Sequence, residues 1–347
     1  MVTTLNHHWC VGVDLHKDTL TACTFCRCCG EVAYQKIACK CRRQIVDFFT
    51  ALPQPHTVAI EAVGFYRWLW ELLEPVVEKL TLADATQARA LAGRRLKTDR
   101  EDAFNIAELL AAGRLPTSYA PPLCVQLLRD MTRHRNGFSR QHARVLCRVK
   151  SIMNANNRPG PARLASDGLI RYVKAQGEKL PARHVDMLWN CVDQLALTER
   201  QMQQAERTIS EMVQGPTFAA AYAILVSFPG VATVTAATVI AEVGDFKRFK
   251  DAKAIGRFAG LNPRVFASAG KQRIGHIAKT GSPHLRWILQ QAAWTAIRTD
   301  ENVRRIFLRI AKRAGRKAAA VAIARKLLTW MWSAVCKGNT YQSRRAA

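Results

Sequence analysis

Over the first 120 residues the apolar positions come in short runs that switch between a two-residue and a helical period. Trp9-Cys10-Val11-Gly12-Val13-Asp14 and Val58-Ala59-Ile60-Glu61 each read as a buried strand ending on an acid. Residues 9–14, 19–28 and 31–38 predict a three-strand meander with a turn at Cys29-Gly30. A short helix over 43–51 and a strand over 57–61 follow. A helix over 65–79 then carries Trp68, Leu69, Leu72, Leu73 and Val76 on its apolar side. A strand over 80–83 and helices over 86–93 and 99–112 complete the series.

Beyond residue 120 the period becomes that of long helices. A 4-3 spacing picks out Cys124, Leu128, Met131, Arg135, Phe138, His142, Val145, Val149 and Ile152. A 3-4 spacing picks out Val185, Leu188, Val192, Leu195, Glu199, Met202, Glu206, Ile209 and Val213. Seven of nine positions are apolar in each stripe, and Pro159-Gly160-Pro161 lies between them. The pattern predicts a helical arm over 121–215: an antiparallel hairpin, an intermolecular coiled coil, or two ordinary core-facing helices. In this reading Arg129, Arg133, Arg140, Arg144 and Arg148 lie on the outer faces, where they could track phosphates. In the remaining segment, 216–347, Phe228-Pro229-Gly230-Val231 precedes a helix-like 233–242. That is either half of a helix-hairpin-helix, whose turn offers N–H groups to a phosphate, or a plain helix start.

Charge separates these three segments. Residues 1–120 hold 14 Lys+Arg against 13 Asp+Glu, a net of +1. Residues 121–215 hold 15 against 8 (+7), and residues 216–347 hold 23 against 5 (+18). A near-neutral segment is thus followed by a strongly basic one, which attracts polyanions with a salt-dependent affinity. Anionic membrane is the rival partner, but the chain has no uninterrupted apolar run of 18 residues and no signal-peptide pattern. Nucleic acid is the expected partner, with no membrane. Eleven cysteines without a secretory signal suggest a reducing cytoplasm. Seven of them fall in residues 10–41, including Cys23-x-x-Cys26 and Cys39-x-Cys41. One reading is a zinc site across a hairpin, with Cys28-Cys29-Gly30 at the turn; the other is apolar packing, since the spacing does not match a standard zinc ribbon and in adjacent strands Cys behaves as a small hydrophobe.

The candidate chemistry lies in two places. Asp14 and Glu61 end strands, where burial is costly unless the charge is paired or metal-bound. Asp99 and Asp102, in KTDREDA, are three residues apart and so share one face of a helix, although Arg100 and Glu101 beside them resemble an ordinary exposed turn. Four such carboxylates suit Mg²⁺, and a clustered set can hold two ions for in-line attack at a phosphate. Ser268 lies among small residues, with Lys271, Arg273, His276 and Lys279 nearby, so its hydroxyl could bind phosphate or attack it. No Ser-His-Asp order or G-x-S-x-G elbow accompanies it, and Gly270 to Gly275 is not a P-loop. Arg304, Arg305, Arg309, Lys312, Arg313, Arg316 and Lys317 crowd a C-terminal helix, a density that suits a nucleic-acid backbone better than a plain solvated face.

The strand and helix order β-β-β-α-β-α-β-α over 1–120 is that of a ribonuclease-H-like domain, whose acidic site comes from the first strand, a later strand and a final helix. VGVDLHKDTLTA, AIEAVG, KTDREDA, the PGV segment and GLNPR…SAGKQRIGHIAKTG together resemble the DEDD-type transposases of bacterial insertion sequences. That family joins a Holliday-junction-resolvase-like N-terminal domain to a C-terminal transposase domain bearing a serine. The resemblance implies a DEDD catalytic domain over 1–120, a helical coiled-coil arm over 121–215 and a mostly α, basic transposase domain over 216–347. It places the acidic, Mg²⁺-binding tetrad at Asp14, Glu61, Asp99 and Asp102 and the nucleophile at Ser268. Many relatives read Ser-Ser-Gly-Gly where this chain has Ala267-Ser268-Ala269-Gly270. It further implies a cytoplasmic, nucleoid-associated recombinase acting on donor and target DNA, guided by a structured bridge RNA and assembled as a homodimer or tetramer. A junction resolvase or nuclease, a DNA invertase of the same fold, and a non-catalytic nucleic-acid binder are the alternatives.

Overall fold

The computed structural model describes residues 8–93, 98–161, 165–268 and 271–342. The chain divides after Ala120 into two units, Met1–Ala120 and Pro121–Ala347. The first is mixed α/β and the second mostly helical.

The first unit runs β1 (Trp9–Leu15), β2 (Thr19–Cys26), β3 (Val32–Ala38), α1 (Arg42–Thr50), β4 (His56–Glu61), α2 (Arg67–Leu73), β5 (Lys79–Ala83), α3 (Ala85–Ala92), α4 (Asp99–Ala111) and a two-residue β6 (Thr117–Ser118). Its sheet has the order β3-β2-β1-β4-β5-β6. Strands β1, β4 and β5 are parallel neighbours, and β2, β3 and β6 are antiparallel to theirs. Helix α2 is shorter than the apolar spacing predicts. Pro75 has no N–H and its ring opposes a continuing helix, and the amides of Val76 and Val77 both turn back to the Leu73 carbonyl at 2.9 and 3.0 Å.

The two-residue period of a strand sorts the sheet into two faces. Val11, Val13, Leu15, Val58 and Ile60 pack with Ile45 and Phe49 of α1 and Leu69 and Leu73 of α2. The opposite face presents small residues, Cys23, Ala59 and Ala83, to Ala103, Ile106 and Ala107 of α4. Small side chains on both surfaces let α4 approach closely. Asp14 and Glu61 have the same parity as Gly12 and Ala59, so strand alternation turns them to the α4 side.

The second unit holds α5 (Leu123–Ala155), α6 (Ser166–Gln176), α7 (Ala182–Gln214), α8 (Ala219–Val226), α9 (Thr233–Val243), α10 (Ala252–Phe258), the hairpin β7 (Pro263–Ser268) and β8 (Lys271–Ile277), α11 (Pro283–Thr299) and α12 (Glu301–Lys337). Helices α5 and α7 form an antiparallel pair. Contacts running Arg135–Glu206, His142–Glu199, Arg148–Gln194 and Asn156–His184 ascend one helix as they descend the other. The four polar positions that interrupt the two apolar stripes face each other across this seam. Arg135 Nε donates to Glu206 Oε1 at 2.9 Å, and His142 Nε2 lies 3.1 Å from Glu199 Oε1. Ser166 of α6, a helix absent from the sequence expectation, also donates to Glu199.

The inner ends of this pair share a core with the C-terminal helices. Val125, Leu128, Ile209 and Val213 belong to the same apolar cluster as Ile240, Leu289, Ile323 and Leu327. Arg129 and Arg133 are engaged by partners within the unit. Arg129 Nε donates to the Ala241 carbonyl at 3.0 Å, and Arg133 grips Glu242 with Nε and Nη2 at 2.8 and 3.0 Å. Helix α12 kinks at Gly315 (φ 80°). It is the one helix among the described residues long and apolar enough to cross a membrane, with a mean hydropathy of 1.2 over its best window. Charged residues interrupt it, so it contains no unbroken apolar run of that length. Its Ala319, Ala320, Ile323, Ala324, Leu327, Leu328 and Met331 are buried in the core of the unit, as expected of a core helix.

Candidate functional site

Strand and helix ends of the first unit bring the four acids together. Strands β1 and β4 run parallel with Val13 opposite Ile60, so the next residues, Asp14 and Glu61, stand side by side. Both are buried, at 2% and 8% exposure. Helix α4 starts beside them because Thr98 caps it, its side-chain oxygen accepting from the Glu101 amide at 3.2 Å. Asp99 and Asp102 therefore occupy the first turn, where the helix dipole favours negative charge.

Three basic side chains tie the cluster. Arg89 Nη2 lies 3.2 Å from Asp102 Oδ2 and 3.7 Å from Glu61 Oε1. His16 Nε2 lies 3.1 Å from Asp14 Oδ2 and 3.2 Å from Asp99 Oδ1, and Lys36 Nζ lies 3.1 Å from Asp99 Oδ2. Burial pushes the Glu61 carboxyl up to about 7, and the neighbouring Asp14 adds to the effect. Asp99 behaves in the opposite way. The Lys36 ammonium, with His16 beside it, holds its carboxyl below the usual carboxylate range. Asp14 Oδ2 is buried and accepts no hydrogen bond, although His16 Nε2 lies close to it.

This donor set fits a hard divalent cation. It is carboxylate-rich, and one buried oxygen lacks a donor. Asp14, His16 and Asp99 present ligand atoms within 4.8 Å of one another. Sequence reasoning missed His16, Lys36 and Arg89. His16 could have been found, because it stands two residues after Asp14 at the same strand end. Lys36 and Arg89 come from other elements and carry no local signal.

The second unit holds the other predicted residues. Ser268 ends β7, and its backbone pairs with Lys271 at the start of β8, so both flank the hairpin connection. The side chains of 265–268 and 271–274, including Ser268, Lys271 and Arg273, lie outside the described ones. Lys279 is exposed, with a left-handed φ of 57°. All seven cations from Arg304 to Lys317 are exposed on the first half of α12. In the Phe228–Val231 turn, the Val231 amide is used internally, donating to the Phe228 carbonyl at 3.1 Å.

Comparison with known proteins gives the family. Residues 11–156 match the family model of the DEDD transposase of IS110, and residues 222–308 match that of the transposase IS116/IS110/IS902 family. The chain is 28% identical over 348 residues to a probable family 20 transposase of Pseudomonas aeruginosa, covering 96% of this chain and 98% of the relative. It is 23% identical over 350 residues to the transposase for insertion sequence element IS1328 of Yersinia enterocolitica, covering 95% and 98%. Over 120 residues, 33% of each chain, it is 32% identical to the transposase for IS1111A of Coxiella burnetii. With both windows matched in order and relatives aligned almost end to end, the chain belongs to the IS110-type DEDD transposases of insertion sequences.

Proposed function

We propose that this transposase cuts and rejoins DNA strands with the acidic quartet and Ser268, under the guidance of a structured RNA. The observation that carries the reading is the burial of Asp14 and Glu61 side by side at the ends of two parallel strands, against the acidic first turn of α4. The sheet order, with acids on the first strand, on the fourth and on a later helix, is that of a ribonuclease-H-like domain, and we read the first unit so. Asp14, Glu61, Asp99 and Asp102 would hold Mg²⁺, which when bound polarises a scissile phosphate and offsets its charge.

The chain's own groups divide the remaining work. Asp14 and Glu61 are fixed by strand backbone and form the rigid side of the site. Asp99 and Asp102 complete it from α4. His16, Lys36 and Arg89 balance the negative charge and are placed to take phosphate oxygens once the acids are otherwise engaged. Ser268 Oγ attacks phosphorus, the bond from phosphorus to the departing sugar oxygen breaks, and the proton given up by the serine is matched by one taken up at that sugar oxygen, which leaves as a hydroxyl. The phosphoserine link preserves the bond energy, so an incoming hydroxyl can rejoin the strand and restore the serine without an energy cofactor. The cations of α12, together with Lys271, Arg273 and Lys279, hold the nucleic-acid backbone. Assembly as a dimer or tetramer and pairing with a guide RNA belong to the same proposal.

The test is a covalent trap. Ser268→Ala should lose the protein–DNA adduct and recombination together while still assembling with RNA and DNA. Asp14→Asn should lose cleavage with folding and RNA binding kept. Cleavage by Ser268→Ala at near the unsubstituted rate would leave a metal-dependent nuclease, with the serine reduced to a phosphate contact worth about 1 kcal/mol. Recombination in preparations freed of RNA would remove the guide from the proposal.

A further inference from the structure

The fold turns the sulfurs of Cys23-x-x-Cys26 apart, and a different grouping takes their place. Cys23 is three residues before Cys26 on one strand, so the two point to opposite faces. Cys23 packs under α4 with Ala103 and Ala107. Cys39 lies at the far end of β3, where its thiol donates to the His16 carbonyl at 3.5 Å. The β2–β3 turn instead gathers Cys26, Cys28 and Cys29, whose sulfurs all lie within 4.8 Å of one another. The turn is closed by the Gly30 amide donating to the Cys26 carbonyl at 2.9 Å, and the Cys26 amide donates to the Glu31 carbonyl at 3.0 Å. Gly30 takes φ 75°, a conformation that suits glycine.

We propose that Cys26, Cys28 and Cys29 form a thiolate site for a soft divalent cation, zinc foremost, at the turn of this hairpin. Cys26-x-x-Cys29 followed by a glycine has the two-residue ligand spacing of structural zinc sites. The geometry suits capture. Cys26 is fully buried and forms the floor, while Cys28 and Cys29 are exposed and leave a way in. Among the described residues no fourth ligand joins the group, so water completes the tetrahedron. Cys26 and Cys28 sulfurs stand 2.8 Å apart, and the Cys26 thiol pushes Cys28 up. Binding forms three sulfur–zinc bonds and releases three thiol protons to solvent.

The site has work to do where it lies. Strand β3 is an edge strand on which only Ile37 is buried, so little fixes its register. Yet β3 supplies Lys36, which holds Asp99. A metal at the turn would staple that register. It is also distinct from the acidic cluster. Cys26 pairs with Trp9 and Thr21 with Asp14, five residues or about 17 Å along the strand.

The experiment titrates reduced full-length protein with Co²⁺ and then Zn²⁺. One equivalent of Co²⁺ should give a thiolate-to-cobalt charge-transfer band that one equivalent of Zn²⁺ abolishes. Cys28→Ser and Cys29→Ser alter exposed residues and should fold; each should lose the band. Cys147→Ser, at another exposed cysteine, and Asp14→Asn should keep it. Zinc should slow amide exchange across Val32–Ala38 about tenfold. Absence of the band in the unsubstituted protein, its survival in Cys28→Ser and Cys29→Ser, or a Cys26–Cys28 disulfide in glutathione buffer in place of bound metal would each overturn the proposal.

Discussion

Gly12→Ala is the most direct probe of how the acidic quartet is held. Gly12 sits in the middle of β1 on the face covered by α4. A Cβ there would lie 2.1 Å from the Ala103 carbonyl oxygen, 2.6 Å from the Ala107 amide nitrogen and 3.0 Å from Ile106 Cβ. The first two are backbone atoms, which cannot swing aside as a side-chain tip can. Restoring ordinary contact near 3.4 Å from 2.1 Å requires α4 to retreat by about 1.3 Å. Overpacking of this kind costs about 1–3 kcal/mol, a fall in Tm of roughly 5–10 °C for a unit of this size. The functional effect should be larger in proportion, because Asp99 and Asp102 ride on α4 while Asp14 and Glu61 stay with the sheet. A 1 Å misplacement of reacting groups costs on the order of 100-fold in rate. Strand cleavage at saturating Mg²⁺, measured beside thermal unfolding, reads both. Gly137→Ala is the control. Gly137 lies within α5 with nothing inside 4 Å of an added Cβ, so it should gain about 0.5–1 kcal/mol. Unchanged Tm and cleavage rate in the Gly12→Ala protein would show that close packing of α4 on β1 does not hold the quartet.

Other outcomes follow from the second unit. Burial pushes the Glu242 carboxyl up, but Arg133, helped by Ser282 and Arg129, outweighs it and holds the group below the usual range. That depressed value stabilises the fold above the unfolded pKa of about 4.3, and the contribution is lost as pH falls through the folded value. Arg133→Ala should therefore cost about 2–3 kcal/mol at pH 7, reduced from a fully buried pair because the guanidinium is half-exposed. The gap should narrow in denaturant unfolding at about pH 4, and an unchanged gap there would contradict the assignment. Arg135→Leu should cost about 1–2 kcal/mol and Arg135→Leu with Glu206→Leu should recover it, since an apolar pair restores the helix seam; additivity in that double-mutant cycle would refute the pairing. Replacing Arg304, Arg305 and Arg309 with Ala should reduce the slope of log affinity against log salt by about 2–3 if each meets a phosphate. An unchanged slope would move the nucleic-acid surface away from α12.

Much of the first unit could be read from the sequence because its signals are local. Val11, Val13 and Ile60 alternate with Gly12, Asp14 and Glu61, and that alternation alone fixes which side chains share a face. The strand-end acids stood out because an acid closing an apolar run has no cheap place to go. Helix α2 was overextended because its apolar spacing continues past Pro75, where a missing N–H outweighs periodicity. The long stripes of α5 and α7 were visible, but not what their polar positions do. They are partners, since Arg135 meets Glu206 and His142 meets Glu199 only once the helices are paired.

What the sequence by itself determined is the order of elements, the parity that turns Asp14 and Glu61 to one side, the helical spacing of Asp99 and Asp102, and the concentration of positive charge toward the C-terminus. These are properties of neighbours along the chain, set by backbone geometry and side-chain chemistry. Tertiary structure alone decided that His16, Lys36 and Arg89 knit the acids together, that Arg133 pairs with Glu242, and that Cys26 joins Cys28 and Cys29 rather than Cys23. Each of these depends on residues brought together by packing. A local pattern carries no information about which distant charge or thiol will occupy the space opposite.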